Sequence, residues 1–159
     1  MADAQQERTQ SIPVSRYAVL LDGDLFFAVK VADTLRHAGF EVRTLRKVEA
    51  LADALAERTP DLVCINMAAR GVDWQRGIEM AHSEGLAVLA FGPHVDTESQ
   101  AAARRLGATT VIANSRLSED LPDIALKTLR RAERRESAGN KHDDSLPSAL
   151  KVHEESGDV

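Results

Sequence analysis

The sequence predicts an α/β domain, a parallel sheet of five strands covered by helices on both faces. Three observations carry this. Short apolar runs alternate with longer amphipathic stretches five times between residues 16 and 135. The middle run, Leu62-Val63-Cys64-Ile65, is apolar at every position, as befits a strand buried on both faces. The connections are short and several carry Gly or Pro, so each helix must return the chain to the same sheet by a right-handed crossover.

Each element has its own warrant. Tyr17 to Leu21 is a first apolar strand, ending at Asp22-Gly23-Asp24. Leu25 to His37 reads as a helix because Phe27, Val31 and Leu35 recur every four residues, and Gly39 closes it. Phe40 to Leu45 alternates as a second strand. Val48 to Arg58 is a helix with Leu51, Ala52 and Leu55 inward, stopped by Pro60. Leu62 to Ile65 is the central strand, and it stops at the polar Asn66. Trp74 to Glu84 is a helix with Ile78 and Ala81 inward, ended by Gly85. Leu86 to Phe91 is a fourth strand, broken by Gly92-Pro93. Thr97 to Leu106 is an alanine-rich helix closed by Gly107, and Thr110 to Ala113 a fifth strand. Leu117 to about Arg135 is a last helix, with Leu121, Ile124, Ala125 and Leu129 on one side and Pro122 in its first turn.

A closed eight-fold barrel needs far more chain, so the expected product is a flavodoxin-like three-layer sandwich with strand order 2-1-3-4-5. The expected organisation is a polar disordered leader over 1–15, one folded domain over 16–135, and a disordered acidic tail over 136–159.

Composition narrows the function classes. The hydrophobic share is 43% and the charged share 28%, ordinary for a globular domain. A single cysteine excludes an internal disulfide, and Cys64 reads as a small buried hydrophobe. No apolar run has the length of a membrane span and no signal-peptide pattern opens the chain, so the expected location is the cytoplasm. The net charge of −5 argues against nucleic acid as the main partner.

Ligands and chemistry in open α/β sheets sit beyond the carboxyl ends of the strands. In this chain the residues there are Asp22-Gly23-Asp24, Asn66, Gly92 and Asn114. Asn66 ends the central strand and is an amide, which neither ionises nor serves as a useful nucleophile.

The ordered pieces Val19-Leu20-Leu21-Asp22, Pro60-Asp61-Leu62-Val63 with Gly71-Val72-Asp73, Val88-Leu89-Ala90-Phe91-Gly92 and Leu106-Gly107-Ala108 resemble the receiver domain of two-component response regulators. The resemblance spans Tyr17 to Arg134. It implies five functional positions: two acids that hold Mg²⁺, an aspartate that takes a phosphoryl group, a Ser or Thr that binds a phosphoryl oxygen, and a lysine followed by Pro. Asp22 matches the first acid. The second acid falls on Gly23, with Asp24 one place late. The acceptor position is Asn66, the Ser/Thr position Gly92, the lysine position Asn114, and the Pro after it Ser115. The acceptor and the lysine that would face it are both replaced by neutral amides, the pattern of a retired site.

The expectation is therefore a pseudo-receiver: a stand-alone signalling domain, as in bacterial two-component systems, that works by protein contact and not as an enzyme. Alternatives are a small-molecule-binding module using the same mouth and a phosphorelay receiver with a relocated acceptor, for which Asp73 is the nearest carboxylate. Asp22 and Asp24 with a neutral third ligand would bind Mg²⁺ only weakly. No other cofactor is expected. His94, after Gly92-Pro93, and Arg130 and Arg131, in a basic stretch of the last helix, are candidate binding residues. The resemblance places partner contacts on the last helix face, with a signalling protein as the expected partner and a homodimer as a further option. Ser115 has no base beside it in sequence, and no glycine-rich phosphate loop or zinc-ligand spacing occurs.

Overall fold

The computed structural model describes residues 15–143. Five strands, β1 (Arg16–Leu21), β2 (Phe40–Leu45), β3 (Leu62–Asn66), β4 (Ala87–Gly92) and β5 (Thr110–Ala113), alternate with five helices, α1 (Leu25–His37), α2 (Val48–Glu57), α3 (Trp74–Ser83), α4 (Thr97–Leu106) and α5 (Asn114–Asp143). All neighbouring strands pair in parallel, and the order is β2-β1-β3-β4-β5, the flavodoxin-like arrangement expected from the sequence.

Strand alternation divides the core into two layers. Val19, Leu21, Val63, Ile65, Val88 and Ala90 point to the side of α2, α3 and α4. Ala18, Leu20, Leu62, Cys64, Leu89 and Phe91 point to the side of α1 and α5. β3 is buried at all five positions because helices cover both of its faces. β2 is the edge strand next to β1 and carries exposed charges that pair with α2 and the residue after it. Arg43 meets Glu57 at 2.6 Å, and Glu41 meets Arg58 at 2.9 Å. Such exposed pairs add little stability but keep the edge polar, which discourages pairing with another chain.

The register sets the site. Leu21 lies opposite both Leu45 and Ile65, Asn66 opposite Phe91, and Gly92 opposite Ala113. The strands thus end together, and Asp22, Asn66, Gly92 and Asn114 share one rim.

Three expectations need correction. Ala52 is exposed and Ala54 is the buried alanine of α2, because the buried set follows Val48, Leu51 and Ala54 at a three-residue step. α5 begins at Asn114, not Leu117, since Asn114 and Ser115 form its first turn and not a loop. Pro122 therefore lies inside the helix, where it cannot donate to the carbonyl four residues back. α5 also runs on to Asp143, so residues 136–143 are helix and not tail. Residues 136–143, Glu-Ser-Ala-Gly-Asn-Lys-His-Asp, hold Ser, Gly and Asn and no large hydrophobe, which suggests a solvated tail, yet the helix continues through them. Residues 1–14 and 144–159, which hold the rest of the expected leader and tail, lie outside the described residues.

Candidate functional site at the strand ends

Asp22 follows β1 and is fully buried. Its Oδ1 accepts two hydrogen bonds, from the backbone N–H of Asp24 at 2.9 Å and from Nδ2 of Asn66 at 3.1 Å. Asn66 in turn accepts from the backbone N–H of Ala68 through Oδ1, at 2.9 Å. One carboxylate and one amide thereby tie the loop after β1 to the loop after β3. Oδ2 of Asp22 is buried and has no hydrogen-bond partner among the described residues. Burial pushes the Asp22 carboxyl above the ordinary aspartate value; the two donors on Oδ1 oppose that rise, and the charge of Asp24 adds to it.

Asp24 has a different task. Its Oδ1 accepts from the backbone N–H groups of Phe26 at 3.1 Å and Phe27 at 3.2 Å, capping α1. A negative charge there also meets the positive end of the helix. Gly23 lies between these two acids. A Cβ at this position would come within 3.1 Å of the Arg70 carbonyl oxygen and of Val72 Cγ2. The loop after β3 thus lies against the site of the family's second acid, where any side chain would force a shift.

Gly92 ends β4, and a Cβ there would lie 3.2 Å from Met67 Cε, the end of a flexible side chain. A Ser or Thr would need that methyl to give way by a few tenths of an ångström. Asn114 opens α5, and its Oδ1 is buried without a partner among the described residues.

Gly23, Asp24, Asn66 and Asn114 line one open pocket of about 430 Å³, so four of the six expected mouth positions come together there, while Asp22 and Gly92 do not line it. Phe27, Ala68, Ala69 and Arg70 complete it, and sequence reading singled out none of the four as a site residue. Phe27 was legible only as part of the apolar stripe of α1. Arg70 sits in a small-residue loop whose path over the mouth has no sequence signal.

Mg²⁺ is the ion that the receiver resemblance implies, and this donor set does not fit it. Asp22 is buried with one oxygen already taken, Asp24 caps a helix, and the third position is an amide. Mg²⁺ is usually held by one or two carboxylates and several waters, and one oxygen of each carboxylate here is already committed to N–H donors. Among the described residues no group of three His, Cys, Asp or Glu side chains is placed to hold a metal.

The remaining candidates lie elsewhere. Asp73 caps α3 by accepting from the Arg76 N–H at 3.1 Å. His94 is exposed in the turn after β4 and is not among the residues lining the pocket. Gln100 braces that turn by donating to the Pro93 carbonyl at 3.2 Å. Arg131 donates to Thr110 Oγ1 at 3.2 Å, beside the Thr128 hydroxyl. Arg130 lines a cleft with Arg16 and Asp61 at the opposite end of the sheet. None of these three binding candidates reaches the mouth. Cys64 is buried in β3, and burial pushes its thiol up to about 12, which makes it inert.

No protein-family model matches the chain, and neither does any curated protein. Solved structures do. NtrX from Brucella abortus superposes with a TM-score of 0.71 at 20% identity, over 80% of this chain and 29% of that one, so the chain spans under a third of that protein. The receiver domain of the same protein gives 0.66 at 22% identity, over 71% and 98% of the two chains. A CheY-like response regulator receiver domain protein from Methanospirillum hungatei gives 0.67 at 16% identity, over 76% and 98%. The last two are matched along nearly their whole length. The chain therefore has the fold of response regulator receiver domains.

Proposed function

We propose that this chain is an atypical receiver domain in two-component signal transduction, working in the cytoplasm through protein–protein contact and without aspartyl phosphorylation. The observation that carries the reading is the state of Asn66. It stands at the acceptor position and is spent as a structural link, giving its amide to Asp22 and receiving the Ala68 N–H. An amide does not form the acyl phosphate that an aspartate would. The neighbouring positions agree. A side chain at Gly23 would press on the Arg70 carbonyl and Val72, Gly92 carries no hydroxyl, and Asn114 brings no positive charge. With no chemistry at the mouth, the domain acts by what binds its surface, and a signalling protein is the fitting partner.

The test is a gain of function. With acetyl phosphate and Mg²⁺, the Asn66→Asp/Asn114→Lys variant should acquire an acid-labile phosphoryl adduct that the wild-type chain lacks. An adduct on the wild-type chain, or on Asp73, would overturn the reading.

A further inference from the structure

The sheet has a second opening, at the amino ends of its strands and therefore far from the mouth. A cleft of about 420 Å³ lies there between the start of the sheet and the second half of α5. Arg16, which opens β1, and Leu86 and Ala87, at the start of β4, form one wall. Leu126, Leu129 and Ala132 of α5 form the other. Leu86, Leu126, Leu129 and Ala132 are only half-buried. Leu86 packs on the core layer under α2, α3 and α4, and Leu129 and Ala132 pack on the layer under α1 and α5. Both layers thus run out at this cleft without a cover among the described residues. Its rim is charged, with Arg130 and Glu133, and neither makes an ion pair among the described residues. An apolar floor inside a charged rim marks a place where another segment sits.

The chain itself arrives at this cleft. Arg16 is the first residue of β1 and lines the opening, so only Ser15 separates residue 14 from its wall. Residues 5–11 carry no apolar side chain, and then Ile12-Pro13-Val14 comes just before the strand. Pro13 fixes its own φ and biases Ile12 toward an extended backbone, so ordering this triplet costs less entropy than ordering a flexible one. β3 alone separates β1 from β4. Two strand spacings are about 10 Å, and three extended residues span about 10 Å, so the triplet reaches from Arg16 to Leu86. The other end of the chain is placed less well. Asp143 lies about two helical turns, or about 10 Å, beyond Glu136, the last residue of α5 on the cleft.

We propose that Ile12-Pro13-Val14 docks in this cleft in cis, as a strap that closes the amino end of the sheet against α5. Alternate side chains of an extended segment share one side, so Ile12 and Val14 together cover Leu86, Leu126 and Leu129. A three-residue segment suffices because the binding is intramolecular, and a tether of one residue gives it a far higher effective concentration than a free peptide has. The strap joins the leader to the second half of α5, so whatever takes the leader away also loosens that half of the helix. The inference does not depend on the state of the mouth or on the absence of phosphorylation.

The experiment places one nitroxide on the full chain and reads amide NMR. Cys64 is buried and inert, so a spin label on Gln10→Cys attaches at that residue alone. It should broaden the amides of residues 85–87 and 126–133 and leave those of the mouth, residues 22–24 and 66–70, sharp. Adding Ile12→Ser/Val14→Ser to the labelled chain should abolish the broadening. In the chain without a label, the same double substitution should cost residues 126–133 part of their protection against hydrogen exchange. No broadening, broadening spread evenly over the surface, or broadening that survives the double substitution would overturn the proposal. Broadening of an isotope-labelled chain by a separate spin-labelled chain would assign the cleft to a second copy and overturn it. Stronger broadening of the same amides from a label on Ser145→Cys would assign the cleft to the tail and overturn it as well.

Discussion

The ends of β3 and β5 carry the same side chain and use it in opposite ways. Asn66 is bonded through both ends of its amide, to Asp22 and to Ala68. Asn114 has its oxygen buried and unpartnered among the described residues. The difference teaches that losing a charged residue at a functional rim leaves two kinds of replacement. One has been built into the structure and joins two loops. The other only removes a charge. Stability should therefore depend on the first position far more than on the second.

The largest effect should come from Asn66→Asp. It sets a second carboxylate against the buried Asp22 with no cation to offset it, and urea unfolding at pH 7 should show a loss of about 3 kcal/mol. The loss should shrink in acid as the pair takes up a proton. Asn66→Ala should cost about 2 kcal/mol, because the Ala68 N–H and Asp22 lose a partner in a buried setting. An equal cost for Asn114→Ala would break the comparison, since that change should stay within about 0.5 kcal/mol.

Asp22→Asn sharpens the comparison from the other side. The folded carboxyl holds its proton above the ordinary value of 3.8, whereas the unfolded chain titrates near it. The folded state therefore binds the proton more tightly. The stability that this contributes is full below the unfolded value and is lost as pH rises through the folded one. The variant should accordingly be more stable than wild type at pH 7, by about 1 kcal/mol. The two chains should converge in acid below the ordinary aspartate range, and a pH-independent difference would contradict the assignment. The smallest effect is kinetic. Cys64 lies in β3, two residues before Asn66, and is unreactive while that strand stays closed. A thiol reagent should label it only through opening, faster in Asn66→Ala and unchanged in Asn114→Ala.

Much of this molecule was legible in the sequence. The apolar run of β3, the four-residue recurrence of Phe27, Val31 and Leu35, and the closing glycines of α1, α3 and α4 fix the elements and hence the rim. That Asn66 and Asn114 would meet at one mouth followed from the topology alone. The loop after β3 was not legible, because the approach of Arg70 and Val72 to Gly23 depends on a turn of small residues with no periodic signal. Nor was the length of α5, because residues 136–143 hold Ser, Gly and Asn with no large hydrophobe and look the same as a solvated tail. The exposed face of α1 was hidden for a different reason. Leu25, Phe26 and Val29 are as apolar as the core residues beside them, and only their position on the helix puts them in water.

The central claim is that the mouth of the sheet holds an amide link in place of a phosphoryl acceptor. Intact-mass spectrometry of the wild-type chain through a time course with acetyl phosphate and Mg²⁺ tests it most directly. The account predicts a single unmodified species throughout. A stoichiometric phosphoryl adduct that acid or hydroxylamine removes would contradict it.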